Sequence, residues 1–361
     1  MTDAMTDAVI ETAPVRADEE QDWPRLAEYL EAHLPDARPP MHVQQFPGGS
    51  ANLTFLVWFE GAGGQRAEYV VRRPPLGPVA PGAHDMVREH KVLSRLYRSY
   101  PKAPRCLLLC EDESVIGAKF IVSERRSGVV IRDRFPRQMS EHDDVATRTS
   151  FAVVDAMAEL HNVDPVAVDL ADLGKPDGFV QRQVAGWYQR WQLAKHQDLP
   201  EVEEIHQRLQ SSLPAPQRVS ILHNDFKLDN CQFAADDSNR VISVFDWDMA
   251  TLGDPLVDLG TLLGYWPEPG DPEPRATRAE GASGEFPSRA ELTARYQAVS
   301  GLNTDAIWWY EAFALWKTAV VLQQMYIRFI RGQTRDERFA ALPERIPVLL
   351  DQGLSLIDKS S

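Results

Sequence analysis

A short polar loop between two apolar segments is the feature that most constrains this chain. The loop, residues 223–230, follows the apolar run 219–222, and a second apolar run, 241–245, leads into Asp246 and Asp248. Both runs are short and rich in branched residues, which is typical of strands. The sequence therefore predicts a strand, a polar loop and a second strand, ending in two carboxylates, inside a half of the chain that is otherwise helical.

The side chains of this segment are those that phosphoryl transfer from a nucleotide requires. One carboxylate orients or deprotonates the attacking hydroxyl, while an Asn oxygen and a second carboxylate hold the magnesium ion that neutralises the phosphates. We assign the first role to Asp225 and the second to Asn230 with Asp246. Asp248 either touches a second metal ion or caps the next turn. His223 holds the loop by a hydrogen bond or, alternatively, takes part in proton transfer.

The spacing of these residues argues against a purely structural interpretation. An Asp that follows a strand is usually a turn residue, but Asp225 stands five positions before Asn230 and precedes a strand that ends in Asp246. Further on, Asp254 followed by Pro255 fits the start of a helix. One turn later, Asp258 is expected to hydrogen-bond back to the loop.

The composition limits the class of function. The chain has 361 residues, of which 43% are apolar and 25% charged, so it can bury a sizeable core in one large domain or two lobes. A formal charge of −15 argues against nucleic acid or an anionic membrane as a partner. No apolar run approaches the ~20 residues of a membrane-spanning helix. Three cysteines, an odd and low number, are typical of the reducing cytoplasm, where we expect the protein to reside.

The order of predicted elements divides the chain into parts. We expect a disordered leader at 1–20, a first lobe at 21–124, a linker at 125–128 and a second lobe at 129–361. The first lobe contains an initial helix from about 22 to 33, strands at 41–46, 53–60 and 68–73, a helix at 85–98, and strands at 105–110 and 119–123. Helices in the second lobe are predicted at 143–161, 179–196, 256–265, 289–300, 304–331 and 336–357. The fold class is therefore α+β, with a small antiparallel sheet and one main helix before a mainly helical lobe.

The first lobe also carries candidate nucleotide-binding residues. Backbone N–H groups can reach phosphate oxygens from a glycine-rich turn, because glycine permits close approach; that turn contains Gly48, Gly49, Ser50 and Asn52. A cation at Arg72, two strands later, would hold the phosphates. Glu89, on the following helix, either forms an ion pair with Arg72 or lies on a solvated face. An adenine ring would bind backbone groups where the last strand ends, at Ser123, Glu124 and Arg125.

These residues together resemble the aminoglycoside phosphotransferase and choline kinase superfamily, small-molecule kinases with the two-lobed fold of protein kinases. The resemblance rests on the H-x-D-x-x-x-x-N pattern at 223–230, on 245–248 and on 253–259. Segments 69–75 and 309–313 resemble the branch found as kinase-like N-terminal domains of certain acyl-CoA dehydrogenases. The sequence ends after the helices, so we expect no dehydrogenase domain in it.

The resemblance implies an activity and its cofactors. It implies ATP and Mg²⁺, with transfer of the γ-phosphoryl group to a hydroxyl of a small metabolite. The association of the branch with acyl-CoA metabolism favours a hydroxy acid or hydroxyacyl-CoA over an aminoglycoside-like acceptor. The sequence leaves open the acceptor, the choice of ATP or GTP, the number of metal ions and the oligomeric state.

Two departures from the family pattern bear on activity. Asn224 stands where the family has Gly, whose backbone permits positive φ; Asn tolerates such angles better than most residues. Arg72 stands where kinases usually have Lys, and Arg can pair with phosphate through two hydrogen bonds. Since Asp225, Asn230 and Asp246 are all retained, we expect an active kinase.

Three alternatives to a small-molecule kinase arise from parts of the sequence. A nucleotide-binding pseudokinase that regulates or scaffolds stays open because of Asn224. A phosphatase of the haloacid dehalogenase type is suggested by the D-x-D at 246–248, but the helical remainder offers no further parallel strands. A protein kinase would carry an Ala-Pro-Glu signature after Asp258, and the sequence has none there.

Overall fold

A helix and a five-stranded antiparallel sheet form the first part of the chain in the computed structural model, which describes residues 12–46, 52–60, 66–77, 84–272, 275, 279–334 and 336–360. The strands lie in the order β1-β2-β3-β5-β4, and every neighbouring pair is antiparallel. The elements are α1 (Trp23–His33), β1 (Met41–Gln45), β2 (Leu53–Glu60), β3 (Arg66–Arg73), α2 (Met86–Leu96), β4 (Cys106–Cys110) and β5 (Phe120–Glu124).

Alternation along β2 and β3 gives this sheet one apolar face. Every second residue of β2, from Leu53 to Phe59, is buried in a core that includes Leu26 and Leu30 of α1. Burial of such aliphatic and aromatic side chains contributes about 1.5–3 kcal/mol each. On β3, Val71 lies on the apolar face, so Arg72 projects to the opposite face, as strand alternation predicts.

The residues before α1 are not all disordered. Ala13 forms a two-residue bridge with Gln45 of β1, in which each backbone N–H donates to the other carbonyl at 2.8 Å. The side chain of Gln45 also accepts the N–H of Arg16 at 3.0 Å. The predicted disordered leader at 1–20 is therefore wrong for residues 12–20, because the free edge of β1 provides hydrogen bonds for them. Residues 1–11 lie outside the described ranges.

The second part of the chain is mainly helical. Its longer helices are α4 (Val145–His161), α5 (Phe179–Ala194), α6 (Pro200–Ser211), α7 (Leu256–Tyr265), α8 (Arg289–Ser300), α9 (Ile307–Ile330) and α10 (Leu342–Ser360), with a short α3 (Arg137–Ser140) before them. The strands are β6 (Val129–Val130), β7 (Ser220–Leu222), β8 (Cys231–Ala234), β9 (Asp237–Val244) and β10 (Thr251–Gly253). β7 pairs with β10, and β6, β8 and β9 form a sheet in the order β6-β8-β9.

Close packing of α7 against α9 fixes the position of the residues on α7. A Cβ at Gly260 would lie 2.6 Å from backbone atoms of Tyr310, so only glycine permits this approach. All but the last residue of α7 are buried. Asp258, one turn into α7, is consequently held in a rigid interior and is fully buried itself.

The chain divides into two compact units. The first comprises Met1–Val129, Val168–Leu170 and Ile242–Asp248, and the second comprises Val130–Ala167, Ala171–Val241 and Met249–Ser361. The first boundary lies next to the predicted linker, whose role as a hinge stays a prediction.

The placement of 242–248 in the predicted helical lobe is corrected by this division. That segment belongs to the first unit. Val244 donates its N–H to the carbonyl of Lys102 at 2.8 Å, and the ring of Trp247 lies edge-on to Tyr100 with centroids 6.1 Å apart. The hydrogen bond and the ring contact tie the segment to the first unit.

Candidate active site

The loop after β7 is held by a single buried carboxylate. Asp258 accepts the backbone N–H of His223 on Oδ2 and that of Asn224 on Oδ1, each at 2.7 Å. Two hydrogen bonds to one rigid carboxylate fix the position and the direction of the start of the loop. The predicted hydrogen bond from Asp258 back to the loop is confirmed.

Asn224 adopts the left-handed backbone conformation that the family glycine would allow. Its φ is +66°, and its side-chain Nδ2 donates to the carbonyl of Met249 at 2.8 Å. Asn visits this region at lower cost than most residues, and the added hydrogen bond offsets part of that cost. The loop therefore retains its turn despite the departure from glycine.

Asp225, the next residue, lies among groups that fix and neutralise its carboxylate. Asn230 donates from Nδ2 both to the carbonyl of Asp225 at 2.8 Å and to its Oδ2 at 3.0 Å. The ammonium of Lys227 lies 3.2 Å from the same Oδ2. Because the amide nitrogen of Asn230 is turned toward Asp225, its amide oxygen is directed away and suits a metal ion.

His223 is fully buried and takes part in holding the loop. Its Nδ1 accepts the backbone N–H of Asp225 at 3.3 Å, and its ring lies edge-on to Phe226. The sequence suggested either a structural role or proton transfer for this residue. A ring with no exposed surface has no route to an acceptor, so the structure favours the structural role.

A buried chain of side chains supports Asp258 from behind. His161 Nε2 lies 3.1 Å from Asp258 Oδ2, and His161 Nδ1 lies 2.7 Å from the hydroxyl of Tyr296. Burial raises the pKa of Asp258, but the hydrogen bond and charge of His161 more than offset this, so the pKa lies below its usual range. Asp258 is therefore ionised while it holds the loop.

In the first unit, Arg72 is shared by two carboxylates. Its guanidinium donates to Asp246 and lies 3.3 Å from Glu89 Oε2, and Glu89 is only 2% exposed. Of the two predicted settings for Glu89, the structure shows the ion pair with Arg72 and not a solvated helix face. Burial lowers the pKa of Arg72, but the charges of Glu89 and Asp246 raise it by more. The pKa therefore lies above its usual value, and Arg72 remains a cation.

Asp248 belongs to the same cluster. It accepts Nδ2 of Asn52 at 3.4 Å, and Nδ1 of His84 lies 3.6 Å from its Oδ2. Burial first, and the neighbouring Asp246 second, raise the pKa of Asp248. Burial also raises the pKa of Glu89, to about 7, because Arg72 does not fully offset it.

This crowding of carboxylates suits a divalent cation. Burial and mutual repulsion disfavour the ionised forms of Glu89 and Asp248, and a cation at Asp246 and Asp248 would relieve that repulsion. Both side chains offer the hard oxygens that Mg²⁺ prefers. Within the described ranges, no three His, Cys, Asp or Glu side chains form a recognisable metal cluster. The grouping of Asn230, in the second unit, with Asp246 and Asp248 stays a prediction.

The remaining nucleotide-binding residues are placed only in part. Gly48, Gly49 and Ser50 lie outside the described residues. Ser123 and Glu124 are in β5, where the backbone N–H of Glu124 donates to Arg105 at 3.0 Å. The guanidinium of Arg125 lies over the ring of Phe46, 5.5 Å from its centroid. Since Glu124 N–H is already used, an adenine ring would need other backbone groups here, and its site stays a prediction.

Sequence reasoning missed two lysines beside Asp225. Lys227 lies within the loop itself, and its position two residues after Asp225 was a signal that could have been used. Lys317 lies on α9, and its ammonium donates to the carbonyl of Asn224 at 3.4 Å. It is 93 residues away from Asn224 in the chain, and no local pattern indicates such a contact.

None of the helices in the described parts of the chain is both long and apolar enough to cross a membrane.

Comparison with known proteins provides a family match. The model of the phosphotransferase enzyme family matches residues 42–292, which include both carboxylate-bearing segments. A mouse protein, acyl-CoA dehydrogenase family member 11, is 32% identical over 360 residues. The match covers 97% of this chain and 45% of the mouse protein, so the chain spans less than half of that relative.

Solved structures agree in fold. A Ralstonia eutropha protein provisionally assigned as an aminoglycoside phosphotransferase matches with a TM-score of 0.75 and 29% identity, covering 94% of this chain and 99% of that one. Spectinomycin phosphotransferase, solved with ADP and spectinomycin, matches with a TM-score of 0.58 and 11% identity, covering 93% of this chain and 98% of that one. The predicted α+β, kinase-like fold is confirmed.

Proposed function

The chain belongs to the phosphotransferase enzyme family, and we propose that it is a kinase that transfers the γ-phosphoryl group of ATP to a hydroxyl of a small metabolite. The general activity follows from the family. The nucleotide, the metal ion and the acceptor are our proposal.

The observation that carries the proposal is the setting of Asp225. Asp258 holds the backbone N–H of the preceding residue, and the amide of Asn230 donates to the carbonyl of Asp225. The carboxylate of Asp225 lies 3.2 Å from the ammonium of Lys227. A carboxylate held this firmly can accept a hydrogen bond from a hydroxyl without reorganising. Positioning of that kind supplies most of the catalysis in a loose phosphoryl transition state.

The reaction is a direct transfer between two oxygens. The acceptor oxygen forms a bond to the γ-phosphorus while the bond from phosphorus to the bridging oxygen of ADP breaks. The proton of the hydroxyl passes to Asp225, and ADP leaves with the electron pair of the broken bond. Lys227, whose ammonium lies 3.2 Å from Asp225 Oδ2, would offset the negative charge on the transferred group.

Residues of the first unit would bind the nucleotide phosphates and the metal ion. Arg72, kept in place by Glu89, offers a guanidinium to phosphate oxygens. Asp246 and Asp248, with Asn230, would hold Mg²⁺. When bound, the ion neutralises phosphate charge.

The acceptor is suggested by the relatives. The names of the curated matches refer to acyl-CoA dehydrogenases, which belong to the metabolism of acyl-CoA. We therefore propose a hydroxy acid or hydroxyacyl-CoA as the acceptor, in preference to an aminoglycoside.

A metabolite screen tests the proposal. Purified protein with Mg-ATP is offered a library of alcohols, and ADP release is measured together with the phosphorylated product by mass spectrometry. Asp225→Ala serves as the blank, and Asp236→Ala, whose side chain is 83% exposed, controls for the loss of a carboxylate. We expect one class of alcohol to be phosphorylated by the native and Asp236→Ala proteins and not by Asp225→Ala.

Two other outcomes would contradict the proposal. Binding of Mg-ATP, seen as a thermal shift, without turnover of any alcohol would favour the pseudokinase. Hydrolysis of a generic phosphate ester in the absence of nucleotide would favour a phosphatase.

A further inference from the structure

Lys317 is a part-buried cation with little to compensate it. Its ammonium makes one long hydrogen bond, 3.4 Å, to the carbonyl of Asn224, and it lies 5.6 Å from the ring centroid of Trp187. Among the described residues it has no ion-pair partner. Removing an ammonium from water without a counter-charge is costly, so such a residue usually has an anionic partner or ligand.

A second cation lies over the same tryptophan. The guanidinium of Arg190, on α5, lies 4.4 Å from the ring centroid of Trp187, and it also makes no ion pair with any described residue. Arg190 is exposed, while Trp187 is almost buried. The ring of Trp187 thus has two cations near it, exposed Arg190 and part-buried Lys317.

Two further cations, Arg190 and Lys227, lie near Lys317. Burial lowers the pKa of Lys317, and the neighbouring charges of Arg190 and Lys227 lower it as well, whereas Asp225 and Asp258 raise it. Asp258 is fully buried and already accepts hydrogen bonds from the loop. Lys227 lies between Asp225 and Asp229, at 3.2 and 3.7 Å, whereas Lys317 and Arg190 have no ion-pair partner among the described residues.

We propose that Lys317, together with Arg190, binds an anionic group of the acceptor, a carboxylate or a phosphate ester near the reacting hydroxyl. The inference rests on the proposed kinase function and names the class of acceptor that this site takes. Lys317 is then a specificity-determining residue, and Trp187 lines the space beside the anion.

The position of Lys317 relative to the catalytic loop explains how it would act. Its ammonium is bonded to the carbonyl of Asn224, the residue immediately before Asp225. An anion held by Lys317 therefore brings a hydroxyl on the same small molecule close to the Asp225 carboxylate. An acceptor with ammonium groups would instead face the like charges of Lys317 and Arg190, which disfavours it.

The test compares matched acceptors. Lactate, hydroxybutyrate and glycerol phosphate are offered beside propanediol, butanediol and glycerol, their uncharged counterparts, and choline represents a cationic alcohol. A charged hydrogen bond contributes about 1.5–3 kcal/mol, so Lys317→Met should lower the ratio of kcat/KM for anionic over neutral acceptors about 10–100-fold. Lys317→Arg should retain most of the ratio, and KM for ATP should not change.

Further variants keep the result interpretable if Lys317→Met folds poorly. Arg190→Gln changes an exposed side chain and should lower the same ratio severalfold. Lys195→Met removes an exposed lysine at the end of α5, whose contact is Asp198, and should leave the ratio unchanged. Glycerol phosphate against lactate distinguishes a phosphate from a carboxylate as the anion.

The outcomes separate the two proposals. Phosphorylation of neutral or cationic alcohols in preference to anionic ones, or an equal loss on all acceptors in Lys317→Met and none in Arg190→Gln, would overturn the anion site and leave the kinase in place. Failure of the native protein to phosphorylate any alcohol would overturn the kinase function itself.

Discussion

Asp258 Oδ2 lies 2.7 Å from the backbone nitrogen of His223, so a residue on α7 determines where the loop after β7 begins. The Asp258 side chain accepts backbone N–H groups that a neighbouring strand would otherwise accept. Asp225, the proposed catalytic carboxylate, follows two residues after His223, so its position depends on this bond. The integrity of the loop can therefore be tested without touching any residue proposed to meet substrate.

Replacement of Asp258 by Ala should destabilise the protein strongly. Two buried backbone N–H groups and His161 would lose their acceptor, and each unsatisfied group costs about 1–3 kcal/mol. We expect a fall of roughly 3–5 kcal/mol in the free energy of unfolding, measured by urea denaturation. Asp236→Ala provides the exposed control, and equal stability of the two variants would contradict the assigned role.

Substitutions at Asn224 should separate backbone conformation from side-chain bonding. Asn224→Ala keeps the Cβ at φ +66° but loses the polar side chain that makes this conformation accessible to Asn, together with the bond to Met249, so it should cost about 1–2 kcal/mol and reduce kcat. Asn224→Gly removes the same bond but suits the backbone, and it should cost less than Ala. Urea denaturation and steady-state kinetics measure both; a Gly variant less stable than the Ala variant would argue against backbone conformation as the cause.

Arg72→Ala should weaken nucleotide binding. The loss of one charged partner for phosphate is worth about 1.5–3 kcal/mol, or a rise in Kd for Mg-ATP of roughly 10–100-fold. Arg66→Ala, on the same strand but exposed over Trp58, serves as the control. Isothermal titration calorimetry measures both affinities, and an unchanged Kd in Arg72→Ala would move the phosphate role to another residue.

Asp246→Asn should remove the dependence of nucleotide binding on magnesium. The backbone of Asp246 has φ +67°, which Asn also tolerates, so the variant loses charge with little change of shape. In the native protein, EDTA should weaken ATP binding strongly. In the variant, ATP should bind with the same low affinity with and without Mg²⁺, and a full retention of the magnesium effect would exclude Asp246 as a ligand.

The stability of the metal-free protein should depend on pH through Glu89. Its folded-state pKa is raised from 4.5 to about 7, chiefly by burial, so the folded state binds more protons than the unfolded state between those values. This contribution to stability is complete below pH 4.5 and is lost as the pH rises through about 7. The loss is on the order of 3 kcal/mol relative to Glu89→Gln, which has no proton to release. Urea denaturation in EDTA without nucleotide measures this loss of unfolding free energy. Parallel pH profiles for the native protein and Glu89→Gln would contradict the assignment to Glu89.

Local patterns made several elements of both units predictable. β2 was predicted at its observed bounds because an apolar run between two glycine-containing turns is typical of a strand. α1 was predicted because Asp22 caps it, with Oδ1 accepting the N–H of Arg25 at 3.1 Å. α7 and α8 also have the predicted bounds. Each of these signals lies within or next to the element that it specifies.

Among the elements of the second unit that were missed, α6 and β8 were missed for different reasons. α6 has buried residues at Val202, Ile205 and Leu209, so its helical periodicity was present but was overlooked in a polar segment. β8 has only four residues and directly follows the loop 223–230, so no run of alternation was available to reveal it.

The site shows the same limit. The spacing of Asp225 and Asn230 predicted their association, since both belong to one loop. The contacts of Lys317 with Asn224 and of His84 with Asp248 join distant parts of the chain, and only the folded structure reveals them.

The relay from Tyr296 through His161 to Asp258 has a thermodynamic consequence. Its members come from α8, α4 and α7, so the loop that bears Asp225 cannot loosen without disturbing three helices. Opening of the loop and opening of this helical group should therefore be one cooperative event in amide hydrogen exchange. On heating, activity and the protection of helical amides from hydrogen exchange should consequently be lost together. No intermediate should appear in which the helices stay folded while the loop is disordered.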